Sequence, residues 1–329
     1  MKKWLVAFLA VCFASVGALA QENVIKMATS APEGSPTLKV LRKLNDELKT
    51  ATGGKLSFKF FAGGVLGDDK VMLDKMKYGQ IQAAALTGVG LGEIASEVRL
   101  LEMPFHFGSY KQIDCVVNAF SDEFAKKFEE KGYVLLGWAD QGFVYLFSKK
   151  RIEKVADMAG TKPWVWGSDV LAKAIFNAFD LNPVPLELQD VFTSLQTGLI
   201  DTVYISPVYA VGMQWYTKVQ YMVDVPITDG IGAMVISKKA FDALSADQQV
   251  VLKSKATEYL KKLTAVTRQG NDKAIKVLAD KGIQVIKVDA SQTSQFRSKG
   301  EQAAKALVGK LYSAEMLKRL QAQISKCGR

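Results

Sequence analysis

Between residues 24 and 86 the spacing of apolar positions switches back and forth between strand and helix. A short apolar run from Val24 to Thr29 opens onto Ser30-Ala-Pro-Glu-Gly-Ser35-Pro36, a turn that starts a helix predicted to reach about Thr50. Inside that helix Leu38, Leu41, Leu44 and Leu48 recur every three or four residues, a stripe for one buried face. Gly53-Gly54 ends the unit, Leu56 to Phe61 alternates as a strand, and a second predicted helix carries Val71, Met72, Leu73 and Met76. The run from Ile81 to Leu86 is small and apolar enough for a strand buried on both faces. This β-α-β-α-β order predicts a mostly parallel sheet wrapped by helices.

The pattern then restarts. A Pro-containing connection from Leu100 to Phe107 leads to a predicted helix ending near Lys131, then to extended segments at Tyr133 to Trp138 and Phe143 to Phe147. Beyond Lys149-Lys150-Arg151 come a strand near Lys162 to Trp166 and a helix from about Ser168 to Phe179. A short strand from Pro183 to Leu186, a helix from about Leu188 to Thr197 and a strand from Thr202 to Ile205 complete the unit. Its own stripe is Leu171, Ala174, Ile175 and Ala178, so two α/β lobes are predicted. Another apolar strand runs from Ile231 to Ile236, and a last one from Gln284 to Val288.

The longest periodic segment begins at Ser245, where Gln248 completes a capping box. Its stripe continues through Leu252, Tyr259, Leu263, Val266, Ile275 and Leu278 until Gly282. Unbroken, a helix of about 36 residues is roughly 54 Å long, more than one lobe needs, so it is predicted to span both as a strut. Gly270 is the expected point of any bend. The resulting division gives residues 21–142 and 229–252 to lobe I and residues 143–228 and 253–329 to lobe II, with a helix over 246–281 crossing both.

The chain's ends change the picture next. Met1 to Lys3 is cationic, an apolar run extends from Trp4 to about Val16, and Gly17-Ala18-Leu19-Ala20 is a small-x-small cleavage pattern. Too short to span a bilayer comfortably, this stretch predicts a secretory signal peptide over residues 1–20 and a periplasmic mature protein. An uncleaved anchor or a lipoprotein is the alternative, although Leu9-Ala10-Val11-Cys12 is a poor lipidation box. Cys115 and Cys327 are the cysteines that remain. Either they bridge and tie down the C-terminus, as an oxidising compartment allows, or Cys115 is a buried thiol and Cys327 an exposed one. The net charge is +10, but 36 of the 43 basic residues are dispersed lysines, a solvated surface rather than a nucleic-acid footprint.

Enzyme chemistry finds little support. With one His and three Cys the chain cannot form a His-rich catalytic zinc site, and it has no Gly-x-Ser-x-Gly, P-loop or Cys-x-x-Cys. Neither cofactor nor metal is implied. Gly88-Val-Gly90-Leu-Gly92 superficially suggests a dinucleotide fingerprint, but its spacing is wrong and it follows the third strand rather than the first. His106, between Phe105 and Phe107, reads as a hydrogen-bonded structural residue. The aromatics are more informative: Trp138, Trp164, Trp166 and Trp215 sit near predicted strand ends or in loops, and Tyr204 and Tyr209 flank Ser206-Pro207. Strand alternation points Trp164 and Trp166 the same way, and ligands of open α/β sheets sit beyond the carboxyl ends of strands. Trp164, Trp166, Tyr204 and Ser206 would then meet at one cleft mouth; the alternative is an ordinary aromatic core.

Several segments together carry a family likeness: Ala28-Thr-Ser-Ala-Pro-Glu-Gly-Ser35-Pro, Gly64-Val-Leu-Gly67, Leu101-Glu-Met-Pro104-Phe-His-Phe, Ala156-Asp-Met-Ala-Gly160-Thr-Lys, Asn182-Pro-Val-Pro185, Asp190-Val-Phe-Thr-Ser-Leu-Gln-Thr-Gly198-Leu-Ile-Asp201 and Ser237-Lys-Lys-Ala-Phe-Asp-Ala-Leu244. With them the chain resembles the DctP-like substrate-binding subunits of tripartite ATP-independent periplasmic (TRAP) transporters over nearly its whole mature length. The resemblance implies a two-lobed periplasmic binding protein fold with a long crossing helix, no enzymatic activity, and delivery of an enclosed small-molecule solute to a membrane permease.

It also implies an arginine that clamps an organic acid, on the strand after the Gly-x-Lys segment. Counted from Gly160, that position is Trp164, and the place of a second arginine in sialic-acid-binding relatives is Val144. None of the seven arginines falls at either position. The substitution, with the Tyr204-Ile-Ser-Pro207 stretch, resembles a minority of the family paired with a tetratricopeptide-repeat lipoprotein and suspected of binding hydrophobic ligands.

The expectation is therefore a mainly apolar or weakly charged ligand held by Trp164, Trp166 and Tyr204, with polar help from Gln141 and Ser206. Trp138, Phe143, Tyr209 and Trp215 are second-line candidates. The alternatives are an organic-acid receptor of the same transporter type, with Lys162 rotating in to hold a carboxylate, the binding protein of an ATP-driven importer, a secreted enzyme, and an exported scaffold.

Overall fold

The computed structural model describes residues 22–167 and 169–328, so the predicted leader over residues 1–20 lies outside the described residues. The opening pattern folds as β1 (Asn23–Thr29), α1 (Pro36–Ala51), β2 (Leu56–Phe61), α2 (Asp69–Lys77) and β3 (Ala83–Thr87). The Ser35 hydroxyl accepts from the Leu38 N–H, Pro36 takes the first helical position, and the four predicted leucines are the buried face of α1. β1 lies between β2 and β3 and runs parallel to both. Helix α3 (Gly88–Ile94), a 3-10 turn over Ser96–Glu102, α4 (Tyr110–Glu130) and β4 (Tyr133–Trp138) follow.

The chain then crosses to a second body. It contains β5 (Phe143–Ser148), β6 (Trp164–Val165), α5 (Val170–Ala178), β7 (Val184–Pro185), α6 (Val191–Thr197), β8 (Thr202–Ile205), α7 (Pro207–Gly212), β9 (Tyr221–Val223) and β10 (Thr228–Asp229). It returns as β11 (Gly232–Ser237) and α8 (Lys238–Asp242), and ends with α9 (Ala246–Asp280), β12 (Gln284–Ile286), α10 (Ala290–Ala306) and α11 (Ala314–Lys326).

The first sheet has the order β2-β1-β3-β11-β4, with β11 antiparallel to both its neighbours. The second runs β10-β5-β9-β12, with β8 also on β5. This second sheet is not the parallel repeat that the pattern suggested: β5 pairs antiparallel with β8, β9 and β10, while β6 and β7 form a separate two-residue ribbon. Pro163, Pro183 and Pro185 flank or enter that ribbon, and proline offers no N–H to a longer ladder.

Helix α9 is continuous for 35 residues, about 52 Å, and passes Gly270 without interruption. It packs on α1 and β4 of the first lobe and on α7 of the second. Its buried face is Leu252, Ala256, Leu260, Leu263, Thr267, Asn271, Ala274 and Leu278, a strict 3.6-residue spacing. Tyr259 and Ile275 lie half-buried on its flanks and Val266 is exposed, so the predicted stripe drifts off the true one. The two polar members, Thr267 and Asn271, mark where the helix passes over the junction.

The final helices diverge. α10 packs on α5, whereas α11 packs on α4 of the first lobe, where Cys327 is disulfide-bonded to Cys115. The division by sequence gave all of 253–329 to the second lobe; α11 lies instead against the first, because the bridge and its apolar face hold it there. The bond links residues 212 apart in sequence and settles the cysteine question in favour of the bridge. Removing it frees a long loop in the unfolded chain. Cys115→Ala should lower stability by roughly 2–5 kcal/mol in a denaturant titration, with the loss of amide protection concentrated in α11.

Candidate functional site

Where the lobes meet, two small chambers of about 60 Å³ each share Thr87, Gln141, Trp166 and Ile205 as common wall. The first extends toward Thr37, Tyr209 and Thr267. The second reaches Arg99, Glu102, Asp169, Tyr204 and Ser206, with an aliphatic and aromatic wall that includes Val144, Ile175 and Phe176.

Arg99, in the 3-10 turn of the first lobe, is the one cationic residue among the described residues lining either chamber. Its Nε lies 2.7 Å from Glu102 Oε2 and its Nη2 3.0 Å from Asp169 Oδ1. Asp169 caps α5 in the opposite lobe, accepting from the Ala172 N–H at 3.0 Å, and its other oxygen accepts from the Tyr204 hydroxyl at 3.0 Å. The ion pair therefore spans the cleft. Burial opposes the charge on Arg99, but the two carboxylates outweigh it and raise its pKa further. Burial pushes Glu102 up to about 7 despite the guanidinium, and burial together with Asp169 holds the Tyr204 phenol well above its usual value, as a neutral donor.

The seat for this cluster is the run Gly88-Val-Gly90-Leu-Gly92. A Cβ on Gly88 would stand 2.1 Å from Glu102 Oε2, one on Gly90 2.7 Å from Asp69 Cβ, and one on Gly92 2.9 Å from Arg99 Cδ. Three glycines on α3 thus make room for three buried charged side chains. Asp69 is satisfied there by the Thr87 hydroxyl at 2.6 Å and the Thr87 and Gly90 amides. Sequence reasoning missed Arg99, Glu102 and Asp169; the glycine run was their only trace, and it was read against a nucleotide motif.

Of the expected site residues, Trp166, Tyr204, Ser206 and Gln141 are brought together on the second chamber, and Tyr209 lines the first. Trp164 lies one layer behind. Wholly buried, its ring is 5.0 Å from Trp166, 5.2 Å from Tyr204 and 5.4 Å from Trp215, and its Nε1 donates to the Leu186 carbonyl. Trp164 and Trp215 therefore hold the cavity-lining rings in place from the lobe interior. Trp138 packs on Phe124 and Phe128 and donates to Ser121, and Phe143 stacks on Tyr110, both away from the chambers. Lys162 is exposed and donates to the Gly198 carbonyl at 3.3 Å, so it does not replace the missing arginine. Val144 is part of the apolar wall. His106 is half-buried, with Nδ1 2.8 Å from the Pro104 carbonyl.

Helix α9 secures the crossings beside the cleft. Arg268 donates to Asp140 and Asp114 and lies over the Tyr110 ring, while the Asn271 amide donates to the Gln141 carbonyl and its oxygen accepts from the Val208 N–H. Asp229, at the end of β10, is fully buried, and among the described residues neither of its carboxylate oxygens has a partner. Burial first, then Asp140, raises its pKa well above the ordinary value.

The profile of the DctP family, described as bacterial extracellular solute-binding protein, family 7, matches residues 27–311. The chain belongs to that family. The C4-dicarboxylate-binding periplasmic protein DctP of Rhodobacter capsulatus is 26% identical, covering 82% of this chain and 81% of its own. The 2,3-diketo-L-gulonate-binding periplasmic protein YiaO of Escherichia coli K12 is 28% identical, covering 74% and 75%. The crystal structure of the sugar acid binding protein DctPAm of Advenella mimigardefordensis, in complex with galactonate, superposes with a TM-score of 0.88 at 22% identity, covering 94% of this chain and 99% of that one.

As a DctP-family subunit the protein is a periplasmic solute receptor of a TRAP transporter, working with membrane permease subunits, and is not an enzyme. Among the described residues no helix is long and apolar enough to cross a membrane.

Two titrations follow from the buried acids. Glu102 binds its proton more tightly in the fold than in the unfolded chain, so its contribution to stability falls as pH rises from about 4.5 to about 7 and is level above. Glu102→Gln does not titrate, and the drop in Tm between pH 5 and pH 8 should shrink by several degrees. Asp229→Asn keeps the shape and removes the charge. It should stabilise the protein by about 1–3 kcal/mol at pH 8, and the gain should shrink as pH falls and vanish below about pH 3, where the aspartate is protonated in both states.

Proposed function

We propose that this receptor captures a small organic acid. The observation that carries the reading is Arg99, a buried guanidinium on the cleft wall whose charge offsets the Glu102 and Asp169 carboxyls beside it, so that the chamber admits one anion. The sequence-based preference for an apolar or weakly charged ligand gives way to its alternative. That preference rested on the missing arginine at Trp164 and Val144, and the positive charge enters instead from the opposite lobe. The relatives support the same choice, since those of Rhodobacter capsulatus, Escherichia coli and Advenella mimigardefordensis are described as binding a C4-dicarboxylate, 2,3-diketo-L-gulonate and galactonate.

In this reading the ligand enters between separated lobes, which rotate about the crossings near residues 142–147 and 224–230 until Asp169 reaches Arg99. Trp166 and Tyr204 then close over the ligand, with their rings fixed from behind by Trp164. The lobe division over residues 21–142 with 229–252 and 143–228 with 253–329, α11 excepted, describes the moving bodies. A tetratricopeptide-repeat lipoprotein as a further partner is supported by the Tyr204 to Pro207 likeness alone, and co-purification from the periplasm tests it.

Calorimetry with the refolded, solute-free protein should show heats for small carboxylates and none for the corresponding neutral amides at pH 7. Amides that bind as well as their acids would overturn the organic-acid reading. X-ray scattering should show contraction on adding a bound acid; an unchanged radius of gyration would count against closure.

A further inference from the structure

Resting on that organic-acid reading, we infer that the cleft selects a monocarboxylic acid with a short branched aliphatic body over dicarboxylic and polyhydroxylated acids, and that Ser206 and Trp166 donate to its carboxylate. Ser206 is 1% exposed, and among the described residues neither its Oγ nor the buried Nε1 of Trp166 has a hydrogen-bond partner. Both residues line the second chamber. Buried polar groups are nearly always paired, so two orphaned groups on one cavity mark where a ligand acceptor belongs. An N–H and an O–H converging on a carboxylate make charge-assisted bonds, stronger than neutral ones.

The apolar side of the chamber, which Thr87, Gln141 and Thr228 border, decides the body of the ligand. Val144, Ile175, Phe176, Ile227 and Ile231 line it without a hydrogen-bonding side-chain atom among them. Hydroxyls of a sugar acid placed on that wall lose their water and find no partner. A second carboxylate fares no better. The one guanidinium already faces Glu102 and Asp169, so another anion meets two acids with no free cation beside them. An aliphatic branch replaces water on the wall at no such cost. Val144, part of that wall, thus acts as a specificity residue.

The test is calorimetry on the solute-free protein with 4-methyl-2-oxopentanoate, 3-methylbutanoate, succinate, D-galactonate and the neutral 4-methylpentanamide. The branched monoacids should bind at least about tenfold more tightly than succinate or galactonate. Ser206→Ala and Trp166→Phe should each weaken the preferred monoacid by about tenfold. The near-isosteric Val144→Thr, with its Tm measured alongside, should shift the ratio of monoacid to galactonate affinity toward galactonate. Succinate or galactonate binding as tightly as the monoacids overturns this inference and leaves the organic-acid reading standing. Binding of the amide as tight as that of the acids, or no binding by any acid of the panel, overturns both. Monoacid affinity unmoved by Ser206→Ala and Trp166→Phe removes the assigned donors and the inference with them.

Discussion

A guanidinium taken out of water and held between carboxylates from opposite lobes is the constraint around which this protein is arranged. Burying Arg99 costs several kcal/mol of hydration, and only close partners offset that. Glu102 supplies one from the same turn and Asp169 the other from across the cleft. Because the second partner is on the far lobe, the charge is fully compensated by the packing of the two lobes together.

The surroundings follow from that demand. Side chains as large as arginine and glutamate need room in a close-packed interior, and the three glycines of α3 provide it by having no Cβ. Asp169 must be aimed, so it is fixed twice, by capping α5 and by the Tyr204 hydroxyl. Tyr204 in turn rests on Trp164, which anchors its own indole to the Leu186 carbonyl. The aromatic cluster of the second lobe is thereby a support for polar geometry at the cavity surface.

The junction is held by α9 in the same manner. Where its buried stripe passes over the cleft it changes from leucine to Thr267 and Asn271, and Asn271 satisfies the Gln141 carbonyl beside the crossing and the Val208 N–H in the first turn of α7. Arg268 fastens the strand crossing at Asp140 to α4 through Asp114. A strut that binds backbone beside the cleft keeps the two bodies in register.

Periodicity alone determined much of this. The leucine spacing of α1, the strand–helix alternation of the first lobe, the capping box at Ser245 and the length of α9 are local properties, set by side-chain spacing and backbone hydrogen bonding within one element. The sequence also marked Trp166, Tyr204, Ser206 and Gln141 as neighbours, because strand ends and a family likeness place them there. Tertiary structure decided the rest. The antiparallel second sheet, the return of α11 to α4, the retreat of Trp164 behind its neighbours and the meeting of Arg99 with Asp169 all depend on contacts between residues far apart in the chain. No spacing rule connects positions 99 and 169. What brings them together is the packing of one lobe on the other, which gives a buried guanidinium a second carboxylate beside Glu102.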